Sequence, residues 1–550
     1  MTATAPSEES AASENPYQNL NRNLDSGSNS DADSDSNAEQ VTQAARGTAL
    51  NLAGAVIGAI VSFVTVGLIT NTYGKAGAGL FFAATAAFTL AANAARLGAE
   101  SGLTYFVSRL RVDHRHRSIT SVVRRALVAT GGAATALGLV GLLAAPWLSD
   151  VLTSEPGSQG TSTTMIRILA IAVPTFALSQ AMFGASRGFG TMRPSVLAGQ
   201  IIRPLSQLLL VIAVIVISDD VWPLAVAWAL ASAITMLTIG GWMRGRLGQV
   251  RQNISNRESA DTDGTGGTDG QGAVVSSGEY WRFTGPRAAA DLLSASLERL
   301  DVLLVAIIVG EVGAGMYGAS NRLILAGQLM MIATAQSMAP LLSANFLKGR
   351  HEDAQKVLRT ISGWNVTLLW PVFICLAFGA KTALSVFGSE FTDASSLVVV
   401  LSVAFLIVIG LGIGDTLLVM TGDSIASLIN HAIALAVMVG VALTLLPTVG
   451  IIGAAWAWAA SRVVLRALAV GRVWQTKRVH ALGLPMLTAV SVAALAYVPT
   501  GIVARMAFGE SFTAIVVHVA SGAVIQLGLL TRFRTQLELD QLIATVTRRR

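Results

Sequence analysis

Charge is scarce in this sequence: of its 550 residues, 13% are Asp, Glu, Lys or Arg, about half the share carried by average soluble chains. That excludes an ordinary water-soluble enzyme, whose surface must be covered by such groups. Cysteine is nearly missing. Cys375 stands alone, so neither an internal disulfide nor a cysteine-based metal cluster can form. There is no Walker A motif, and the literal GxGxxG from Gly313 to Gly318 lies between apolar runs with no βαβ context, which argues against nucleotide binding. His431 and His518 are isolated within apolar stretches and read as structural residues. No metal or organic cofactor is expected; H+ or Na+ is the ion expected to take part.

What is abundant is apolar surface, with 53% hydrophobic residues and a mean hydropathy of +0.60. A membrane-spanning helix needs about 20 apolar residues, so the chain can supply on the order of a dozen spans and little else. The formal charge of +6 is unevenly held. Residues 1–46 carry Glu8, Glu9, Glu14, Asp25, Asp31, Asp33, Asp35 and Glu39 against Arg22 and Arg46, which leaves −6 on this segment and +12 on the rest. The segment is rich in Ser, Asn, Asp and Glu and reads as a disordered acidic tail. It has no basic n-region followed by an apolar run, so it is not a cleaved signal peptide.

Breaking the remainder at charge clusters, Pro and Gly gives about fourteen candidate helices. They start near Gly47, Leu80, Leu127, Met165, Val196, Pro223, Ala288, Ala319, Asn365, Leu397, Ile425, Gly450, Leu482 and Thr513. The division reads as an N-lobe over 47–243 with helices 1–6, a cytoplasmic flexible loop over 244–281 and a C-lobe over 282–470 with helices 7–12. Helices 13–14 and a basic tail follow over 471–550. Lys and Arg stay on the cytoplasmic side of short loops, which checks the count. Bases cluster in alternate loops, at Arg109, Arg111, Arg124 and Arg125, then Arg187 and Arg193, then Arg244, Arg246 and Arg251, with Lys348 and Arg350, Arg472 and Lys477, and Arg548 to Arg550 after them. The intervening loops carry Asp150, Asp219, Asp220, Glu311, Glu390, Asp393 and Glu510. Both termini are therefore expected in the cytoplasm, and the basic pI of about 9.8 follows from topology, with no nucleic-acid partner implied.

An internal repeat underlies the spans. Gly74-Lys-Ala-Gly77-Ala-Gly79-Leu-Phe81 matches Gly310-Glu-Val-Gly313-Ala-Gly315-Met-Tyr317, and Ala227-Trp228-Ala229 matches Ala455-Trp456-Ala457. Six-helix units repeated in one orientation imply two pseudo-symmetric lobes about an axis along the membrane normal, with a substrate site between them.

Polar residues inside the spans are not scattered. In helix 7, Arg287, Asp291, Ser294, Glu298 and Asp301 fall on one face at i, i+4, i+7, i+11 and i+14, with Arg299 off that face. Facing lipid would cost roughly 5 kcal/mol for Asp291 and Asp301 alone, so the stripe must line a hydrated cavity or pair internally. Helix 2 repeats the spacing with Thr89, Asn93, Arg96 and Glu100, and in helix 1 Asn51, Ser62 and Thr65 fall opposite Arg287, Glu298 and Asp301 under the repeat. Helix 8 adds Asn321, Arg322 and Gln328; Arg203 lies in helix 5 and Asp415 in helix 10. The stripes predict a cavity in which Arg96, Arg203, Arg287, Arg322, Asn93, Asn321 and Gln328 meet substrate. Glu100, Asp291, Glu298 and Asp301 are the candidates for proton or cation coupling. The alternative for any one of them is a structural ion pair.

Three segments carry a family resemblance: Arg299-Leu-Asp301 running to Gly313, Tyr317 and Arg322; Tyr73-Gly74 with Gly77; and Thr421-Gly422-Asp423 followed by Leu446-Pro447-Thr448-Val449-Gly450 and Gly453-Ala-Ala455. Through them the chain, over residues 46–531, resembles the polysaccharide-exporter (Wzx-type) flippase branch of the multidrug/oligosaccharidyl-lipid/polysaccharide (MOP) superfamily. The resemblance implies an all-α polytopic bacterial inner-membrane protein whose lobes alternate between inward-open and outward-open. It implies a flippase and no enzyme, moving an undecaprenyl-diphosphate-linked oligosaccharide for surface polysaccharide or cell-wall assembly. The expected partners are the lipid-linked glycan, membrane lipids and polysaccharide polymerase or assembly proteins. A MurJ-type lipid II flippase and a MATE-type drug exporter remain the alternatives within the superfamily. A membrane glycosyltransferase or polymerase is the alternative outside it, disfavoured by the short predicted outer loops.

Overall fold

The computed structural model describes residues 30–113, 115–154, 157–261, 275–325, 327, 328, 331, 350–412, 417, 418, 423–534 and 536. The chain forms two units, Met1–Ala49 and Leu50–Arg550. In the first unit residues 30–46, read from composition as part of a disordered tail, are helical. Ala38, Glu39, Gln40, Ala44 and Ala45 are good helix formers.

The second unit is all-helical among its described residues. Its elements are α1 (Ser30–Ala95, from residue 50 onward), α2 (Ala99–Val112), α3 (His116–Leu152), α4 (Gln159–Gly188), α5 (Arg193–Ile217) and α6 (Pro223–Asp261). Then follow α7 (Ser277–Val309), α8 (311–325, with 327, 328 and 331), α9 (His351–Phe378), α10 (Ser395–Gly410), α11 (Ser424–Val449), α12 (Ile451–Lys477), α13 (Leu484–Phe508) and α14 (Phe512–Arg532). Among the described residues eleven helices are long and apolar enough to cross a membrane. One of these, Leu50–Val112, has 63 residues, far more than a bilayer needs, and it breaks at Gly74 (φ 64°, ψ −170°) into two crossings. With α7, kept out of that set by the charges of Glu298, Arg299 and Asp301, and α8, only partly described, the helical segments match the fourteen expected.

Helix ends follow from local chemistry. Ser276, Asp423 and Ser511 accept backbone N–H bonds from Glu279, Ala426 and Ala514 as N-caps of α7, α11 and α14. The region expected as a loop over 244–281 is helical at both ends, because α6 continues to Asp261 and α7 begins at Ser277. The early start of α7 has a packing reason: Val275 and Tyr280 are buried in the core formed by α2, α3, α4 and α6.

The packing repeats. The pairs α3–α4, α4–α6 and α5–α6 have counterparts in α9–α10, α10–α12 and α11–α12. Helix α1 meets α5 where a Cβ on Gly58 would lie 2.7 Å from the Gln200 carbonyl, and α7 packs on α11 in the equivalent place. Gly54 and Gly58 form a small-xxx-small face that lets α1 approach this closely. The partner is a π-helical turn of α5, Leu197–Ile202. Gly310 (φ 94°, ψ 178°) reproduces the Gly74 bend, so the sequence repeat is a backbone repeat. The last two helices, α13 and α14, pack on each other and on α9.

The loops sort into two faces. An acidic face carries the Gly74 and Gly310 bends with Asp150, Glu311, Glu390, Asp393 and Glu510, and a basic face carries Arg109, Arg111, Arg124, Arg244, Arg246 and Arg472. Contacts between helix ends obey this sorting throughout. Lys75 pairs with Asp393 at 2.9 Å on the acidic face, while Arg472 pairs with Asp423 at 3.1 Å and Arg109 with Glu279 at 3.1 Å on the basic one.

Candidate functional site

The lobes touch at both faces and leave polar side chains between. On the acidic face the contact is reciprocal. A Cβ on Gly79 would lie 1.7 Å from the Glu311 carbonyl, and one on Gly315 would lie 2.0 Å from the Lys75 carbonyl. No side chain fits there, so α1 and α8 cross backbone on backbone. The carboxylate of Glu311, buried, accepts from the Ser154 N–H at 2.7 Å and the Ser158 hydroxyl at 3.3 Å in the opposite lobe. Glu390, also of the C-lobe, accepts from the Lys75 N–H at 3.0 Å. Both caps thus run one way, from C-lobe carboxylates to N-lobe backbone donors.

On the basic face the entry of α7 lies against α2. A Cβ on Gly98 would fall 2.4 Å from the Thr284 carbonyl, Tyr105 stacks on Phe283 at 4.3 Å, and Arg125 donates to the Val275 carbonyl at 2.8 Å.

Between these contacts lie two clusters. The first surrounds Glu100. Leu97 (φ 51°) and Gly98 (φ 70°) adopt left-handed conformations, breaking the helix so that α2 starts in a new direction. Arg96 and Glu100 still pair across the break, and the other oxygen of Glu100 accepts from Arg187 of α4. Their side chains are 12%, 23% and 35% exposed for Arg96, Glu100 and Arg187. Asp291 of α7 faces this group from the other lobe, within electrostatic reach of Arg96, Glu100, Arg287 and Arg187. Arg287 itself is exposed, its guanidinium 5.6 Å from the Phe283 ring centre.

The second cluster is cationic. Arg203 of α5 lies over the Phe176 ring at 4.5 Å and within reach of Arg299 of α7, which also feels Arg322 of α8. None of these three has an ion-pair partner among the described residues, and the Nε of Arg299 is buried with no hydrogen-bond partner. Beside them Asp301 is 4% exposed. One of its oxygens accepts from the Tyr317 hydroxyl of α8 at 2.8 Å and the other from its neighbour's Val302 N–H at 2.8 Å. Arg462 of α12 completes the group, donating to the Leu297 carbonyl at 3.0 Å with its guanidinium 5.6 Å from the Trp458 ring centre.

Of the residues expected from sequence, Arg203, Arg322 and Asp301 therefore converge, and Arg96, Glu100 and Asp291 form the separate first cluster. Asn93 donates to the Thr89 carbonyl of its own helix at 2.8 Å. Asn321 and Gln328 are half-buried on α8, and Glu298 is exposed. Asp415, Thr421 and Gly422 lie outside the described residues. Sequence reasoning missed Arg299, set aside as off the polar face, together with Arg187, Arg462 and Tyr317. Arg462 carried a readable signal, a guanidinium near the middle of an apolar helix with Arg466 one turn on, which insertion costs mark as functional or paired.

Two six-helix bundles repeated in one orientation, with ionisable side chains turned to the plane between them, define a transporter-type membrane fold. Solved structures share it. An inward-closed lipid II flippase MurJ matches with a TM-score of 0.65 at 11% identity, over 88% of this chain and 99% of that one. An inward-facing multidrug-resistance MATE-family transporter of the MOP superfamily matches with a TM-score of 0.61 at 15% identity, over 78% and 98%. A MOP-superfamily transporter from Pyrococcus furiosus matches with a TM-score of 0.52 at 15% identity, over 79% and 95%. At these identities the likeness establishes the fold. No protein-family model and no curated protein matches the sequence.

Proposed function

We propose that this protein is a flippase of the bacterial inner membrane that moves an undecaprenyl-diphosphate-linked oligosaccharide from the inner to the outer leaflet by alternating access. The observation that carries the reading is the group Arg203, Arg299 and Arg322, drawn from both lobes and making no ion pair among the described residues. Guanidinium groups offer paired donors that match phosphate oxygens, and leaving several unpaired within a bilayer is costly unless an anion joins them. The glycan and diphosphate need such a wet cationic cavity, whereas the polyprenyl tail can stay in lipid. With the basic face cytoplasmic, both termini lie inside the cell. The glycan precursor, membrane lipids and polysaccharide polymerase or assembly proteins are the proposed partners.

A lipid II flippase is the second reading, favoured by the match across nearly the whole of that flippase; its cargo is also a diphosphate-linked lipid. Deletion followed by analysis of lipid-linked intermediates separates the two. Accumulation of a surface-polysaccharide precursor with normal peptidoglycan supports the first reading. Accumulation of lipid II supports the second, and no lipid-linked intermediate at all overturns both. Complementation with Arg322→Ala or Asp301→Asn should fail while protein level and membrane insertion stay normal; full activity of both would remove the cavity from the mechanism.

A further inference from the structure

The cationic cluster contains one group whose charge can change. Arg203, Arg299, Arg322 and Arg462 stay protonated at any physiological pH, so Asp301 alone sets whether the cluster offers an anion more or less positive charge. Every element packed around Asp301 bears on it. From α8 comes Tyr317, which donates to it at 2.8 Å, while Arg322 of the same helix is linked to it through Arg299. From α12 comes Arg462, and from its own helix Arg299. Helix α11, also packed on α7, has His431 as its titratable side chain, and that ring bonds the Ser427 carbonyl of its own helix at 2.8 Å. Arg203 approaches from α5 of the other lobe through Arg299.

We infer that Asp301 is a proton-binding site linked to the arginine cluster, so that proton uptake and anion binding strengthen one another. This deepens the proposed flippase reading and rests on it for the anion. In the linked step a proton from water adds to the carboxylate, Asp301 goes from −1 to neutral, and Tyr317 turns from donor to acceptor. No bond besides O–H is made or broken. The cluster, relieved of its one internal counter-charge, then holds an anion with four guanidiniums in place of a partly neutralised set. Because linkage is reciprocal, a bound anion must raise the proton affinity of Asp301 by the same factor.

The donor set favours a proton over a metal cation as the coupling ion. Both Asp301 oxygens are already engaged by N–H and O–H donors. No group of three acidic, His or Cys side chains that could share a metal occurs among the described residues, whereas hard cations collect six or so oxygen ligands. Two guanidiniums close by repel a metal ion and leave room only for a neutralising proton. Tyr317 and Arg462 act as positioning residues, the first by holding the carboxylate at the cluster and the second by tying α12 to α7 at Leu297.

The test is calorimetric titration of the full chain in nanodiscs with a citronellyl-diphosphate N-acetylglucosamine diester, whose phosphates do not titrate near neutrality, in two buffers of different ionisation enthalpy. Expected is net proton uptake on binding, with affinity rising about three- to tenfold from pH 8 to pH 7, tenfold being the ceiling for one linked proton. Replacing K+ by Na+ should leave affinity unchanged. In Asp301→Asn the ligand should still bind, with no proton taken up and a flat pH profile. Tyr317→Phe should keep uptake but displace its pH midpoint, a change that a merely structural tyrosine would not produce. Binding without proton uptake in the native chain, or uptake retained in Asp301→Asn, overturns the inference while the anion site stands. A native chain that binds no diphosphate at any pH overturns the anion site itself.

Discussion

Replacing Glu311 by Gln should loosen the acidic-face closure by an amount the geometry lets us bound. Its carboxylate accepts the Ser154 N–H at 2.7 Å and the Ser158 hydroxyl at 3.3 Å across the lobe boundary, and it is buried. A hydrogen bond to a charged group contributes about 1.5 to 3 kcal/mol to the state that contains it. The amide keeps the shape and one acceptor oxygen but loses the charge, so the net loss should be about 1 to 2 kcal/mol, or about 5- to 30-fold in the ratio of closed to open lobes. On a Cys375→Ser background, spin labels at Gln159 and Ser385, exposed at the acidic ends of the two lobes, report that ratio by pulsed electron resonance. The longer-distance population should grow in Glu311→Gln and less so in Glu390→Gln, whose carboxylate is exposed. An unchanged distance distribution in Glu311→Gln would refute the idea that these caps hold the face shut.

Glu100→Gln should leave Arg96 and Arg187 without their shared counter-charge. Breaking a buried pair costs about 3 to 5 kcal/mol, but these side chains are partly solvated, so about 1 to 3 is expected, seen as a lower thermal unfolding midpoint in detergent; an unchanged midpoint counts against the network. Gly58→Leu should prevent α1 from seating on α5, with loss of monodisperse protein in size-exclusion chromatography. Gly67→Leu, where a Cβ meets nothing within 4 Å, should behave as the native chain, and equal tolerance at both positions would contradict the close crossing. Cysteines at Gln159 and Gly509 should react with an impermeant maleimide from outside intact cells and one at Gly245 should not. The reverse pattern would invert the topology.

The fold was readable because a bilayer imposes harsh rules on sequence. Apolar runs of span length, bases gathered in alternate loops and the Gly74/Gly310 repeat all pointed to the same division of the chain, and in the structure the repeat reappears as the same glycine bend. The site was half legible. Helical periodicity placed Asp291 and Asp301 on one stripe, yet they belong to separate clusters, because about 15 Å of helix rise lies between them. Periodicity also set Arg299 aside, since it measures the angle of a Cβ and not the reach of a guanidinium, which can swing back to neighbours beside the stripe. Glu100 illustrates another limit: its partner Arg187 comes from α4, and only the left-handed break at Leu97 and Gly98 brings that helix within reach. The extent of helix in residues 30–46 was hidden because composition weighs burial and says little about local helix propensity.

Thr65 and Asp301 occupy matching steps of the two repeats, both almost wholly buried, at 3% and 4% exposure. The threonine hydroxyl is satisfied by the Val61 carbonyl of its own helix at 2.8 Å, whereas the carboxylate depends on a phenol from the next helix. Two halves cut to one backbone pattern differ here in what they carry. With a hydroxyl in one and a carboxylate in the other, one lobe can change charge at this step and the other cannot, so the chemistry at this step of the repeat is one-sided although the scaffold is paired.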